Sequence, residues 1–540
     1  MNTKSKLTLT NILLILIAVL FTTYLFSIQW INFNSRAWYN FDLYADSMIA
    51  RYIAEDFSIF PDQWVFGNQF YVVATPVLAA VIYSIVGSTT LALSLASFLM
   101  TFLVLFSFVW CLKPYVSKRS ILVGLLCLIG GTLYNTNAAT SEEGLQVFYT
   151  MGSYYSCYII GIFFTLGIWM RLKNQQQVSP VLMVLCFLMN FALGMQSLRE
   201  MLVLILPWGV LICLLIVVEW LKRKANGFHL FTKDRLFALA MFFASAAGFV
   251  LTKVLIKTLP IPQHTILHNV RGSLAENAQD SIQALLNYTG ISGSNGLPAV
   301  IVAAFCFLIV GYAAVSVLLS RKISPMFCLL GFCVISIGGV FASGIVKIYN
   351  RQIYYFVWYI LVAFSFVYAF DRLENRKHLR NAILAVLIVI SAYNGYHHFH
   401  TPMEDYQKQD AFYQEVVDVL KDDGITTLFY DEVFFHEAPA IGACSDDSIL
   451  CAGFFMYPEE QNFMTYIGYL CNTEWFYPDD LSKTYLVMSD SRLDYLSNNT
   501  SAEYREALFS HLILKHQFSY EDKTYYFYTL DAYLYNDMMH

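Results

Sequence analysis

Two aspartates four residues apart are the first groups in this chain whose spacing could do chemistry. Asp42 and Asp46 lie in YNFDLYADSMIARYIAED, where Met48, Ile49 and Ile53 give a helical apolar spacing. At i, i+4 both carboxylates project from one helix face, at a repulsion cost of roughly a few tenths of a kcal/mol. Such a pair can take the proton of an attacking hydroxyl, or hold a divalent cation such as Mg or Mn that bridges to a phosphate. On spacing alone the better reading is a solvated first turn that complements the helix dipole. The surrounding stretch, 39–67, also holds Glu55, Asp56 and Asp62 against Arg51 alone, and it reads as a wet acidic loop between two apolar runs.

A second set is cationic. Arg199 with Glu200 in GMQSLRE, Lys347 and Arg351 in VKIYNRQIYY, and His264, His268 and Arg271 in a long polar loop all fall near ends of apolar segments. An anionic ligand such as a lipid phosphate would account for them, because Arg binds phosphate oxygens through its fork of donors. Helix-end side chains snorkelling to the interface account for Arg351 equally well, and for His264 and His268 better. Glu142 and Glu143 sit in a Tyr- and Asn-rich loop whose rings suit stacking on sugars or a membrane-interface belt.

The elements that must position these groups are membrane helices. The chain has 540 residues, 57% hydrophobic and 13% charged, with a mean hydropathy of +0.53. Soluble domains carry about 25% charged residues. A formal charge of -6 argues against a nucleic-acid partner, which requires a basic face. Runs of about 20 apolar residues, the length that crosses a bilayer, give about eleven candidate spans: 11–30, 91–110, 121–134, 154–170, 181–194, 201–218, 236–255, 299–319, 325–345, 353–370 and 382–393. The first reads as an uncleaved helix because no small-residue cleavage site follows it.

One further apolar run, 71–86, decides the topology. If it does not span, eighteen of the 33 Lys and Arg residues fall on one side, among them Lys113, Lys118 and Arg119, the group from Lys222 to Arg235, and Arg372 to Arg380. The positive-inside rule then puts the N-terminus in the cytoplasm and the long loops and C-terminal tail outside. The run 71–86 becomes a juxtamembrane helix in an outer loop, 31–90. The expected domains are a membrane module, 1–396, and an extracytoplasmic α/β domain, 397–540. In the latter, ITTLFYD and TYLVMSD read as strands, Ser501 to Phe509 as a helix, and 511–530 as a hairpin turning at Glu521 to Lys523. Cys444 and Cys451 are spaced to pair in an oxidising compartment.

This organisation resembles the N-terminal module of the GT-C membrane glycosyltransferases, in their polyprenyl-phosphate-sugar-dependent, ArnT-like and PMT-like branch. The resemblance rests on Asp42 and Asp46 in DLYADS, Pro61, the run Pro76 to Gly87 and the basic cluster after Trp110. The chain is also similar to uncharacterised bacterial multispanning proteins with a loop Asp, a GxxYYS-like segment (here MGSYYS) and a GxQ stretch (here GMQSLRE). The resemblance covers roughly the first 400 residues and implies a transferase on the outer face that uses a polyprenyl-phosphate-linked sugar. It implies that Asp46 or Asp42 is the catalytic base or holds acceptor and metal, and that Arg351 meets the donor phosphate; Lys347 and Arg199 are further candidates for the donor phosphate. Gln196, Glu200, Tyr154, Tyr155, His264, His268 and Arg271 are then candidates for substrate binding. No adjacent Asp-Asp or Asp-Glu pair stands in the loop, so which Asp acts stays open. The alternatives are a lipid or solute transporter or flippase, which predicts charged residues inside spans and internal repeats, and a catalytically inactive assembly protein.

Overall fold

A computed structural model describes residues 8–539 except 68, 133–154, 223–228, 263–272, 292–295, 321, 347–351, 432–436, 457–464 and 468–469. The chain is a helical bundle with a C-terminal sheet region. Helix α1 (Leu9–Asn34) is followed by α2 (Phe41–Asp56), a two-residue strand β1 (Trp64–Val65), α3 (Thr75–Val86), α4 (Thr89–Leu112) and α5 (Lys118–Leu126). Next come α6 (Ser156–Lys173), α7 (Pro180–Gln196), α8 (Met201–Leu221), α9 (Lys233–Thr258), α10 (Leu274–Thr289), α11 (Gly296–Leu319) and α12 (Pro325–Ile345). The bundle closes with α13 (Ile353–Arg372) and α14 (Lys377–Gly395), and α15 (Thr401–Asp422) leads into the sheet.

Among the described residues eight helices are long and apolar enough to cross a membrane: α1, α4, α6, α8, α9, α11, α12 and α13. The other three expected spans are helical too. The described part of segment 121–134 falls on α5 and a π-helical extension, Cys127–Gly131, interrupted where Gly130 adopts φ 112°. Segment 181–194 falls on the 17-residue α7, and 382–393 on α14, which begins with Lys377 and Arg380. Helix α3 has 12 residues, about 18 Å of rise, against the ~30 Å of a bilayer core.

Close packing of α7 on α9 sets the depth of the site. A Cβ on Gly194 would lie 2.2 Å from the Ser245 carbonyl oxygen, and one on Gly248 2.0 Å from that of Phe191. The two backbones therefore touch, as small residues permit in membrane bundles. Because α7 is short, its C-terminal end stops level with Ser245, midway along the 26-residue α9.

The C-terminal region comprises β2 (Thr427–Asp431), α16 (Ala438–Cys444), β3 (Leu450–Met456), β4 (Thr465–Ile467), β5 (Cys471–Asn472), β6 (Thr484–Ser489), α17 (Asp490–Asn499), α18 (Ala502–Ser510), β7 (Leu512–Tyr520), β8 (Lys523–Leu530) and α19 (Ala532–Met539). Six strands run in the order β4-β3-β2-β6-β8-β7, with β2 parallel to β3 and β6 and the other pairs antiparallel. Strands β2 and β6 are buried along their whole length, as central parallel strands must be. The expected hairpin turns at Glu521, φ 55°. Cys444 and Cys451 are free thiols, which corrects the expected pairing. Cys451 lies inside the sheet and donates to the Ala438 carbonyl at 3.1 Å.

Candidate active site

Helix α2 begins at Asn40, whose side chain accepts from the Leu43 amide at 3.0 Å, and it ends at Phe57 in the left-handed region. It packs on α3 and α4 on one side and on the C-terminal region on the other. The reading of a wet loop is overturned at its centre. Asp46 is 0% exposed and Asp42 half-buried. Glu55 and Asp56 remain at the surface, where Glu55 pairs with Arg51 at 2.8 Å and Asp56 accepts from the Asp62 amide at 3.0 Å.

Both carboxylates face Tyr71. Its phenol is buried and held well above its ordinary pKa, first by loss of solvent and then by the negative charges of Asp46 and Asp42, with the Gln69 amide beside it. Tyr71 belongs to a loop inserted between α2 and the end of α7. The Phe70 amide donates to the Gln196 carbonyl at 3.0 Å, and the Val72 and Val73 amides to Gln196 Oε1 at 3.3 and 3.2 Å. Gln196 in turn donates to the Tyr158 hydroxyl at 3.3 Å. A side chain that satisfies two loop amides and one phenol fixes the loop to the bundle.

Arg199 completes the set. It is 8% exposed, so snorkelling does not describe it. Its Nη1 donates to Gln69 Oε1, and its guanidinium carbon lies 5.5 Å from the Tyr155 ring and 5.7 Å from that of Tyr354. Glu200, 0% exposed, accepts from the Ser245 hydroxyl of α9. The structure thus gathers Asp42, Asp46, Tyr155, Gln196 and Arg199 around the loop at Gln69 and Tyr71, while Glu200 turns to Ser245 of α9. Tyr154, His264, His268, Arg271, Lys347 and Arg351 lie outside the described residues.

Sequence reasoning missed Gln69, Tyr71 and Tyr158 altogether and read Tyr354 only as part of an aromatic stretch. The one signal for the first two was a polar residue and a tyrosine in NQFY, at the mouth of an otherwise apolar run. Among the described residues no group of three or more His, Cys, Asp or Glu is placed to hold a metal ion. A divalent cation at Asp42 and Asp46 would take its remaining ligands from water and substrate phosphate.

The bundle, the inserted loop and the appended sheet make a GT-C-like fold, the fold that the sequence resemblance implies. The solved structures narrow this to the ArnT fold. ArnT from Cupriavidus metallidurans in the apo state superposes with a TM-score of 0.54, and the same protein bound to undecaprenyl phosphate with 0.52. In both, identity is 12% and the match covers 94% of this chain and 97% of that chain. No protein-family model and no curated protein matches the sequence.

Proposed function

We propose that the protein is a GT-C type glycosyltransferase that moves a sugar from a polyprenyl phosphate to an envelope glycan, lipid or protein acceptor on the outer face of a cell membrane. The observation that carries this reading is a fully buried carboxylate, Asp46, facing the phenol of Tyr71 in the loop whose Gln69 accepts from a buried guanidinium, Arg199. In one step an acceptor hydroxyl oxygen bonds to the anomeric carbon while the bond from that carbon to the phosphate oxygen breaks. The phosphate keeps the electron pair, and the hydroxyl proton passes to Asp46. Asp42 orients the acceptor. Arg199, with Lys347 and Arg351, balances the charge that develops on the lipid phosphate, an interaction strengthened where water is excluded.

The ArnT-like fold and the neighbour solved with undecaprenyl phosphate support the donor class. The one-sided basic clusters support the orientation, with the N-terminus cytoplasmic, residues 1–396 forming the membrane module and 397–540 an extracytoplasmic domain. The C-terminal domain covers α2 and contributes to acceptor choice. The test uses purified protein in liposomes with a panel of polyprenyl-phosphate hexoses and pentoses, reading release of polyprenyl phosphate. Asp46→Asn and Arg199→Ala should each abolish release at unchanged membrane abundance. Wild-type release by both variants would refute the assignment.

A further inference from the structure

The turn between α16 and β3 places two consecutive aspartates, Asp446 at φ 51° and Asp447 at φ 62°, in the left-handed region, which Asp tolerates better than most residues with a Cβ. Both carboxylates rest on the first turn of α4. Asp446 Oδ1 accepts from the Ser88 hydroxyl at 2.8 Å and the Thr90 hydroxyl at 3.0 Å, and Asp447 Oδ2 accepts from the Thr89 hydroxyl. Three successive hydroxyls at a helix N-terminus thus clasp two acids from the far end of the sequence. The second Asp447 oxygen, Oδ1, is buried without a hydrogen-bond partner among the described residues.

The same turn sits against α2. The Cys451 amide on β3 donates to the Tyr44 hydroxyl at 3.2 Å, and Gly442 of α16 lies under the Tyr44 ring. Several ionisable groups surround the turn. Arg51 and Tyr44 come from α2, Tyr39 and Arg36 from the segment before it, Tyr83 from α3, Cys444 from α16 and Cys451 from β3. Arg51 is the cation that bears on Asp447, and it is already paired with Glu55. The Tyr39 hydroxyl is buried, lacks a hydrogen-bond partner among the described residues and faces both aspartates.

We propose that the Asp446–Asp447 turn is a proton-sensitive joint, which clamps the C-terminal sheet region and α2 onto the first turn of α4 and loosens when Asp447 ionises. Burial raises the Asp447 carboxyl from 3.8 to about 7; the Thr89 hydrogen bond opposes the rise, the Asp446 charge adds to it, and Arg51 opposes it. A released turn returns the carboxyl to its ordinary value, so the docked state binds the proton more tightly. Docking is then strongest below about pH 4. It weakens by up to about tenfold per pH unit as the pH rises to about 7, and is constant above that.

Hydrogen exchange of the full-length protein in lipid nanodiscs, corrected for intrinsic pH dependence, tests the joint without reference to catalysis. In the wild type, opening of segments 86–92 and 438–453 should rise from pH 4 to 7 and level off, while a reference segment in α12 stays flat. Asp447→Asn should abolish the dependence. Asp446→Asn should move the midpoint to lower pH, and Thr89→Val to higher pH, because the lost hydrogen bond favoured the ionised form. A flat wild-type profile, or an unchanged dependence in Asp447→Asn, would overturn the proposal. Should Asp447→Asn fail to fold, the opposite shifts of the other two variants carry the test, and the absence of either shift overturns it.

Discussion

Gly442→Ala should uncouple α2 from the C-terminal region. An added Cβ would stand 2.8 Å from Tyr44 Cε2, 3.0 Å from Tyr44 Cζ and 3.0 Å from Cys451 Sγ, where carbon atoms rest at about 3.5–4.0 Å. The ring would need to move by roughly 0.7 Å on that account. It cannot do so alone, because its hydroxyl holds the Cys451 amide at 3.2 Å on the neighbouring strand. Overpacking of this kind costs about 1–3 kcal/mol, which is about 5- to 150-fold in the docking equilibrium. Asp46 lies two residues beyond Tyr44 on the same helix, and a misplacement of ~1 Å in an active site costs ~100-fold. The expected result is a transfer rate lowered about ten- to hundredfold, with a lower thermal midpoint, measured in liposomes at equal protein. Gly311→Ala, where no atom of the described residues lies within 4 Å of the new Cβ, is the control. Wild-type rate and thermal midpoint in Gly442→Ala would refute the claim that the C-terminal region positions Asp46.

Tyr71→Phe removes the hydroxyl that faces both carboxylates; it should lower transfer at least about tenfold, within the range for acid-base groups, and leave the amount of folded protein in the membrane unchanged. Gly248→Ala would drive a Cβ to 2.0 Å from the Phe191 carbonyl oxygen, a backbone atom with no room to give. It should sharply reduce the yield of monodisperse protein on size exclusion in detergent. Trp475→Ala empties a site that is 3% exposed, packed edge-to-face on Trp64 at 5.7 Å and hydrogen-bonded to the Tyr52 hydroxyl at 2.9 Å. A loss of about 3–5 kcal/mol should appear as faster protease cleavage within 432–470.

Local signals carried much of the architecture. Long apolar runs and the TYLVMSD and 511–530 patterns express their structure within a few residues, and they became α1, α4, β6 and the β7–β8 hairpin. Strand β1 left no such trace. Trp64 and Val65 are a strand only because Asn472 and Cys471 lie beside them, and two residues have no periodicity to read. The site was legible in residue type and illegible in environment. Asp46 is surrounded in sequence by residues that suit a surface helix, and its burial comes from α3, the Tyr71 loop and the C-terminal region closing around it. Arg199 could be placed near a helix end, but only the shortness of α7 shows that this end lies inside the bundle.

The pairing of Trp64 with Asn472 and Val65 with Cys471 also sets an order of events in synthesis. The partner of β1 leaves the ribosome about 400 residues after it, which at about 5–20 residues per second is roughly 20–80 s. For that interval α2, Trp64 and Tyr52 lack the Trp475 surface they pack against, while the first membrane helices are already made. The loop that carries Asp46 is therefore among the first segments translated and among the last to reach its final packing. A ribosome stalled before residue 470 would leave an inserted bundle whose candidate base is still uncovered.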